Sequence, residues 1–154
     1  MELAKKLKIE SVARLYPTPP VVFAPEQTVA EAVAEMRQRR VGCVVICKGS
    51  ELQGIFTERD LLRRVLAPGA LLTTPLREFM TRNPVTVQSK ESVGAALRRM
   101  QQGGYRHLPV LDENDQLVGV LSVKRIIHYL VEHFPTTVIN LPPDPDIVYH
   151  REGA

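Results

Sequence analysis

The sequence predicts an α+β fold in which two copies of one β-α-β-β-α unit pack face to face around a shared cleft. The first observation is an internal repeat: residues recur at a spacing of 64 and, after one extra residue in the turn at 112–116, of 65. The second is that each copy has one stretch with helical spacing followed by two short apolar stretches. A repeat of this length defines the folding unit before any chemistry is considered. Matched pairs include Val29 and Val93, Ala32 and Ala96, Met36 and Met100, Leu52 and Leu117, and Gly54 and Gly119.

Composition narrows the class of protein. With 154 residues, 44% hydrophobic and 24% charged, the chain suits one soluble domain with a continuous core. No apolar run approaches the roughly 20 residues that span a bilayer, and the N-terminus lacks the apolar segment of a signal peptide. We therefore expect a cytoplasmic protein with no membrane partner. The net charge of +3 is mild, aromatic residues make up 5% and Trp is absent, so nucleic-acid binding is not favoured.

The chain divides into four segments. Residues 1–10, with Leu3 and Leu7 among lysines, predict a short amphipathic helix as an N-terminal extension. Residues 11–74 form repeat 1 and residues 75–134 form repeat 2. The tail, 135–154, contains three closely spaced prolines and cannot be helical there. We expect an extended or mobile arm that packs along the domain or a dimer; a proline-rich partner motif is the alternative.

Each repeat begins with the same elements. A short helical turn (12–16 or 76–80) precedes an extended segment (21–24 or 85–88). Thr28 and Ser92 then stand where a helix N-cap is expected, and Thr28 with Glu31 forms a capping-box pattern. Apolar residues follow at helical spacing: Val29, Ala32, Val33 and Met36 in repeat 1, and Val93, Ala96, Leu97 and Met100 in repeat 2.

Each repeat ends with a predicted hairpin and a second helix. The strands are 43–47 and 52–56 in repeat 1, and 107–111 and 117–121 in repeat 2, each pair joined by a polar turn. The last helices are predicted at 58–66 and 123–131. The residues expected to point inward are Leu61, Leu62 and Val65, and Ile126, Ile127 and Leu130.

The two cysteines, Cys43 and Cys47, lie on one predicted strand. Positions i and i+4 of a strand are roughly 13 Å apart, too far for a disulfide. No further ligands accompany them at metal-binding spacing, and His128, His133 and His150 show none either, so no metal site is expected. We interpret both cysteines as small buried apolar side chains.

The sharpest local pattern is Gly54-Ile55-Phe56-Thr57-Glu58-Arg59-Asp60, where a predicted strand ends and a helix begins. The free N–H groups and positive dipole end of such a helix attract a phosphate, to which Thr57 can also donate its hydroxyl. The Asp60 carboxylate can accept hydrogen bonds from the two hydroxyls of a ribose. Thr-x-x-Asp also works as a purely structural cap, and spacing alone leaves both interpretations open.

Two such units, each entering its last helix through Gly-apolar-apolar-Thr/Ser, resemble the cystathionine β-synthase (CBS) domain. Two CBS repeats related by a pseudo-twofold axis would form one Bateman module. The resemblance covers roughly residues 11 to 134. It is carried by Phe79-Met80-Thr81-Arg82-Asn83-Pro84, by Tyr105-Arg106-His107-Leu108-Pro109-Val110 and by the Gly54 to Asp60 motif.

The resemblance implies two clefts that bind adenosine-containing ligands such as AMP, ADP, ATP or S-adenosylmethionine. In the first cleft Asp60 would hold the ribose, and Thr57, helped by Arg106 or His107, would face the phosphates. The backbone around Val85 and Tyr105 would line the base. A lone His on an apolar strand is as often a packed residue, so both roles stay open for His107. The full predicted site is Thr57, Asp60, Thr81, Val85, Tyr105, Arg106, His107 and Pro109.

The second cleft departs from the family pattern. Ser122 matches Thr57, but Arg125 stands where the ribose-binding Asp should be, and an arginine cannot accept hydrogen bonds. Val45 replaces the proline that Pro109 represents. The remaining wall would be Pro17, Val21, Gly42 and Cys43, and we expect this cleft to be empty or altered. Lys124 and Arg125 would either reach the polyphosphate of a ligand in the first cleft or be solvated surface charge.

No nucleophile–base pair is suggested, so the sequence predicts a non-catalytic regulatory sensor that requires no cofactor and binds an adenine nucleotide. Its output would pass through a homodimer or an unknown protein partner, and the resemblance implies a disc-shaped dimer built on the second helices of the repeats. One alternative is a structural CBS dimer that has lost ligand binding. Another is a binder of S-adenosylmethionine or NAD.

Overall fold

Two small β-sheets, each covered by helices, form the centre of the molecule in a computed structural model that describes residues 2–134. The predicted tail arm and His150 lie outside these residues. The helices are α1 (Glu2–Ile9), α2 (Val29–Arg39), α3 (Glu58–Asp60), α4 (Val93–Gly103) and α5 (Val123–His133). Short 3-10 turns cover Val12–Leu15 and Leu76–Glu78. No helix between residues 2 and 134 combines the length and apolarity that crossing a bilayer requires.

The strands form one sheet per repeat, which confirms the α+β fold and the β-α-β-β-α order. The first sheet has the order β1-β2-β3-β4 and the second β5-β6-β7. In each sheet the leading strand is parallel to the next, and the hairpin strands are antiparallel. The strands are β1 (Val22–Phe23), β2 (Cys43–Lys48), β3 (Glu51–Thr57), β4 (Thr81–Arg82), β5 (Val87–Gln88), β6 (His107–Leu111) and β7 (Leu117–Ser122).

The helix caps form as the sequence predicts. The Thr28 hydroxyl accepts from the Glu31 N–H, and the Glu31 carboxylate accepts from the Thr28 N–H, which completes the capping box of α2. Ser92 accepts from the Ala95 N–H at the start of α4. These bonds satisfy N–H groups that the first helical turn leaves without partners. The apolar face of each helix is then free to pack on its own sheet.

The last helix of repeat 1 corrects two expectations. It begins as one α-turn, Glu58–Asp60, and then widens into a π-helical stretch, Leu61–Leu66, instead of continuing as an α-helix. Its widened turns end with the Ala67 N–H donating to the Leu62 carbonyl, five residues back. Leu62, expected inward, is 60% exposed, and its counterpart Ile127 on α5 is 54% exposed. The other residues predicted to point inward do so: Val65 and Ile126 are buried, and the partly buried Leu61 and Leu130 pack against the cores.

Each repeat contributes its opening turn to the core of the other. Val12 and Leu15, at the start of repeat 1, are buried among the α4, β6 and α5 residues of repeat 2. Leu76 and Met80, at the start of repeat 2, are buried among the residues of repeat 1. The sequence repeat and the packing unit therefore do not coincide, and neither half buries a full core without the segment that precedes the other.

A third apolar cluster holds the two sheets against each other. Cys43, Val45 and Cys47 on β2 pack with Ile55 on β3 and with Val120 from the other repeat. Both cysteines are free and more than 90% buried, which confirms their interpretation as small apolar side chains. This layer of apolar contacts fixes how the two repeats face each other, and therefore the shape of the cleft at their edge.

Candidate functional site

A cleft of about 510 Å³ opens between the two repeats. One wall is the junction of β3 with α3, and the other is formed by the 81–85 segment and by the 103–107 segment that leads into β6. Seven of the eight residues predicted for the first site line this cleft: Thr57, Asp60, Thr81, Val85, Tyr105, Arg106 and His107. Pro109 does not line it; it is buried on β6 opposite Val120.

Thr57 and Asp60 form a closed capping box at the start of α3. The Thr57 hydroxyl accepts from the Asp60 N–H at 3.2 Å, and Asp60 Oδ2 accepts from the Thr57 N–H at 3.0 Å. The Thr57 hydroxyl can donate to the same carboxylate oxygen at 3.2 Å. The structural role considered from the sequence is therefore present. It uses Oδ2, and it leaves Asp60, which is 8% exposed as a residue, at the cleft wall.

The other carboxylate oxygen of Asp60 faces Arg64, one turn further along the helix. Arg64 Nε lies 3.6 Å from Asp60 Oδ1. The same guanidinium donates through Nη1 to the carbonyls of Phe79 and Met80, at 3.0 and 3.2 Å. Arg64 was not among the predicted site residues, although it lines the cleft. Its signal in the sequence was the i, i+4 spacing from Asp60, at which side chains meet on a helix surface.

The 81–85 wall belongs to repeat 2 in sequence but is paired to the sheet of repeat 1. Thr81 and Arg82 of β4 lie beside Ile55 and Gly54 of β3. A Cβ on Gly54 would lie 2.8 Å from both the Met80 sulfur and the Thr81 carbonyl, so only glycine permits this approach. The matched Gly119 is similarly crowded by Pro17 and Thr18. We call the opening segment of each repeat, residues 12–18 or 76–82, its lead-in. The glycine of each motif therefore leaves room for the lead-in of the other repeat.

The third part of the cleft surrounds His107. A Cβ on Gly42 would lie 3.1 Å from His107 Nε2 and 3.6 Å from Glu58 Oε1, so these three residues lie close together, and His107 and Glu58 line the cleft. Burial lowers the pKa of His107 below its usual 6.5; the nearby Glu58 carboxylate raises it and Arg106 lowers it. His107 is therefore a neutral imidazole at neutral pH, able to donate one N–H but supplying no positive charge there.

Positive charge dominates the lining. The lining includes two acidic residues, Glu58 and Asp60, against five arginines: Arg59, Arg63, Arg64, Arg82 and Arg106. Arg59 donates across the cleft to the Gly104 carbonyl at 3.2 Å and so links the two repeats at its edge. Within a cleft whose walls exclude part of the solvent, such a set attracts anions more strongly than it would on an open surface.

The corresponding position in repeat 2 has a different structure. Ser122 caps α5 by accepting from the Arg125 N–H at 3.0 Å, as Thr57 caps α3. Arg125 Nε donates to the Leu15 carbonyl at 2.8 Å. Leu15 matches Phe79 at the repeat spacing of 64, so Arg125 fills in repeat 2 the carbonyl-binding role that Arg64 fills in repeat 1. Tyr129, which matches Arg64, donates its hydroxyl to Glu10 instead.

The residues predicted for the second cleft have the following surroundings. Arg125 lines a separate pocket of about 330 Å³ between α1, the first 3-10 turn and α5. Cys43 is buried in the layer between the sheets, and Gly42 lies against His107 of the first cleft. Val21 accepts the Val45 N–H through its carbonyl. Neither Lys124 nor Arg125 lines the first cleft. Within residues 2–134, no three His, Cys, Asp or Glu side chains are grouped to hold a metal ion.

Comparison with known proteins gives one consistent family. The family model for the CBS domain matches residues 12–67 and 76–132. An uncharacterized 17.7 kDa protein of Acidianus ambivalens is 32% identical over 122 residues, which cover 79% of this chain and 73% of that protein. A CBS domain-containing protein of Arabidopsis thaliana is 38% identical over 66% of the chain, which spans only 19% of that relative's length.

Solved structures agree in fold. A CBS-domain containing protein from Agrobacterium tumefaciens superposes with a TM-score of 0.72 at 30% identity, covering 78% of this chain and 98% of that one. A CBS domain protein from Pyrobaculum aerophilum complexed with AMP superposes with a TM-score of 0.71 at 28% identity, covering 80% and 99%. The pseudo-symmetric pair of repeats that the sequence predicts is therefore confirmed.

Proposed function

The chain belongs to the CBS domain family, and we propose that it is a regulatory module that binds one adenine nucleotide in the cleft between its repeats. The observation that carries the proposal is the meeting of a carboxylate, Asp60, with five arginines and the Val85 and Tyr105 wall in a single cleft. The P. aerophilum relative complexed with AMP supports an adenosine ligand. CBS-domain pairs are generally regulatory rather than catalytic, and we propose the same for this chain.

Each part of a nucleotide finds a chemically suited partner. Asp60 Oδ1 remains available beside its capping bonds to accept from ribose hydroxyls. The 81–85 segment offers backbone and an exposed Val85 side chain to the base. The arginines face the phosphates, and charge-assisted bonds from guanidinium to phosphate are among the strongest in proteins.

The positive charge of the cleft lining predicts the order of affinity among the candidate ligands. AMP, ADP and ATP carry net negative charge, which the arginine-rich lining favours. S-adenosylmethionine carries a sulfonium and an ammonium against one carboxylate, so the cleft repels its net positive charge. NAD carries two negative charges on its diphosphate, partly offset by its cationic nicotinamide, and has a second nucleoside to accommodate. We therefore expect phosphorylated adenosines to bind best.

Titration calorimetry with AMP, ATP and S-adenosylmethionine tests the proposal. Asp60→Asn keeps an oxygen that can accept from the Thr57 N–H, so it preserves the cap while removing the charged ribose acceptor. Loss of one hydrogen bond to a charged group should weaken AMP binding about 10- to 100-fold. Glu58→Gln, which removes the other acid of the lining, is the matched control and should bind AMP equally well or better. A folded wild-type protein that binds no adenosine ligand contradicts the proposal.

We also propose that two modules associate through the outer faces of the second helices. Four large apolar side chains of these two helices are between 48% and 60% exposed, which favours an interaction surface: Leu62, Leu66, Ile127 and Val131. The expected partner is a second copy. Light scattering should give twice the chain mass, and Leu62→Lys combined with Ile127→Lys should give the monomer. A wild-type monomer at micromolar concentration contradicts this part.

The alternative is an interaction module without a ligand. The closed Thr57–Asp60 capping box favours it, because that box accounts for both residues by structure alone. A dimer that binds no adenosine compound would establish this alternative over the sensor.

A further inference from the structure

We propose that Arg64 is a positioning residue for ribose recognition. It holds the Asp60 carboxylate in a fixed position relative to the wall that receives the base. The inference rests on the proposed nucleotide site. The Arg64 side chain lies beside the Asp60 carboxylate and also binds the backbone that leads into the opposite wall, so it sets the distance between the two.

The carboxylate of Asp60 is fixed at two points. Thr57 engages Oδ2 through its N–H and hydroxyl, and Arg64 Nε lies 3.6 Å from Oδ1. With Oδ2 alone engaged, the carboxylate plane could turn about the Cβ–Cγ bond, a torsion with a broad energy minimum. The positive charge of Arg64 restricts that rotation and keeps Asp60 Oδ1 in one orientation.

The same guanidinium also holds the opposite wall. Its Nη1 donates to the Phe79 and Met80 carbonyls, immediately before Thr81 and the segment that leads to Val85. One planar guanidinium makes both sets of contacts. The distance between Asp60 Oδ1 and the 81–85 wall is therefore set by a rigid group and not by two flexible side chains. A nucleotide can then satisfy the base and ribose contacts at once.

Repeat 2 supports the assignment independently. Its motif lacks the acid and also lacks the arginine one turn later: Arg125 and Tyr129 stand at the positions of Asp60 and Arg64. The carbonyl at the matched lead-in is still bound, but by Arg125. A lead-in carbonyl therefore receives an arginine in both repeats. Only in repeat 1 does that arginine come from a position that leaves an acid free to face a ligand.

The test compares AMP with 2′,3′-dideoxyadenosine monophosphate, which lacks both ribose hydroxyls. Wild-type protein should bind AMP about 10-fold or more tightly, the value of a hydrogen bond to a charged acceptor. Arg64→Met should reduce this preference to less than about 3-fold. Arg63→Met, the matched control in the same cleft, should weaken both ligands equally through loss of charge and keep the preference. Arg64→Lys should give an intermediate preference, and it carries the test if Arg64→Met does not fold.

A general loss of phosphate affinity would move both ligands together, so the ratio separates positioning from charge. An Arg64→Met or Arg64→Lys protein that binds AMP more weakly but keeps the wild-type preference overturns the inference while nucleotide binding stands. Equal affinity of the wild-type protein for the two ligands also overturns it. A wild-type protein that binds neither ligand overturns the proposed function itself.

Discussion

The two repeats have the same fold but differ in what their motif helices do with an arginine. In repeat 1, Arg64 binds the lead-in carbonyls and Asp60 is left at the wall of a cleft. In repeat 2, Arg125 occupies the acid's position and binds the Leu15 carbonyl itself. The structural requirement, a donor for the lead-in carbonyl, is met in both. The difference teaches that repeat 2 keeps the packing contacts of the motif without the acid, so we expect only repeat 1 to hold a ribose.

The largest expected effect tests the interleaved cores. Leu15→Ala and Leu76→Ala each remove a side chain that is at most 2% exposed, and each should destabilise the protein by about 2–5 kcal/mol. Although Leu15 belongs to repeat 1 in sequence, hydrogen exchange should show its variant loosening β6 and β7 of repeat 2. Leu76→Ala should loosen β2 and β3 of repeat 1. Loosening of the repeat to which each residue belongs in sequence would contradict the exchange of lead-ins.

A second experiment converts one motif into the other. Arg125→Asp removes the donor to the Leu15 carbonyl and places a carboxylate beside it, at an expected loss of about 1–3 kcal/mol. Adding Tyr129→Arg restores the arrangement of Asp60 and Arg64 and should recover part of that loss. Urea unfolding of the two single variants and the double variant gives their interaction energy. Strict additivity would show that position 129 cannot supply the missing donor.

The fold and much of the cleft were predictable because they depend on local patterns. The repeat spacing gave the order of elements, and the Thr28 and Ser92 caps gave the helix starts. The exchange of lead-ins was not predictable, since Leu15 and Leu76 are equally apolar wherever they pack. The π-helical turns after Asp60 were missed for a related reason: helical spacing alone does not distinguish α from π winding over six residues, and Leu62 therefore faces outward.

For the site residues, the sequence indicated the chemical character of each side chain better than it indicated which other residues that side chain contacts. Arg125 was recognised as unable to hold a ribose, but its bond to Leu15, 110 residues away, required the structure. Arg64 was overlooked because a pair of arginines near a helix end is ordinary on surfaces. Pro109 matched the family pattern, yet its ring is buried on β6 and outside the cleft lining.

A smaller effect should come from the partly buried imidazole of His107. Because burial lowers the pKa of His107 below 6.5, the unfolded chain binds its proton at a higher pH than the folded one. The stability that this neutral imidazole contributes is complete above about pH 6.5 and is lost as pH falls through the lowered folded value. His107→Gln should therefore lose less stability on acidification than the wild type in urea unfolding. Identical pH profiles would contradict a buried neutral imidazole.

The smallest effect concerns thiol reactivity. Burial, with the nearby Glu58 carboxylate, raises the pKa of Cys43 to about 12, and burial also raises that of Cys47. Since the thiolate is the reactive form, alkylation of both thiols by iodoacetamide should be slow in the folded protein and fast in urea. Rapid labelling of the folded protein would show that the layer between the sheets is open to solvent.

The most direct test of the asymmetry between the repeats is the stoichiometry of AMP binding measured by titration calorimetry on the wild type, Asp60→Asn and Arg125→Met. We predict one AMP per chain for the wild type, binding weakened about 10- to 100-fold in Asp60→Asn, and unchanged stoichiometry and affinity in Arg125→Met. Two equivalent sites per chain, or full affinity without the Asp60 carboxylate, would contradict the account.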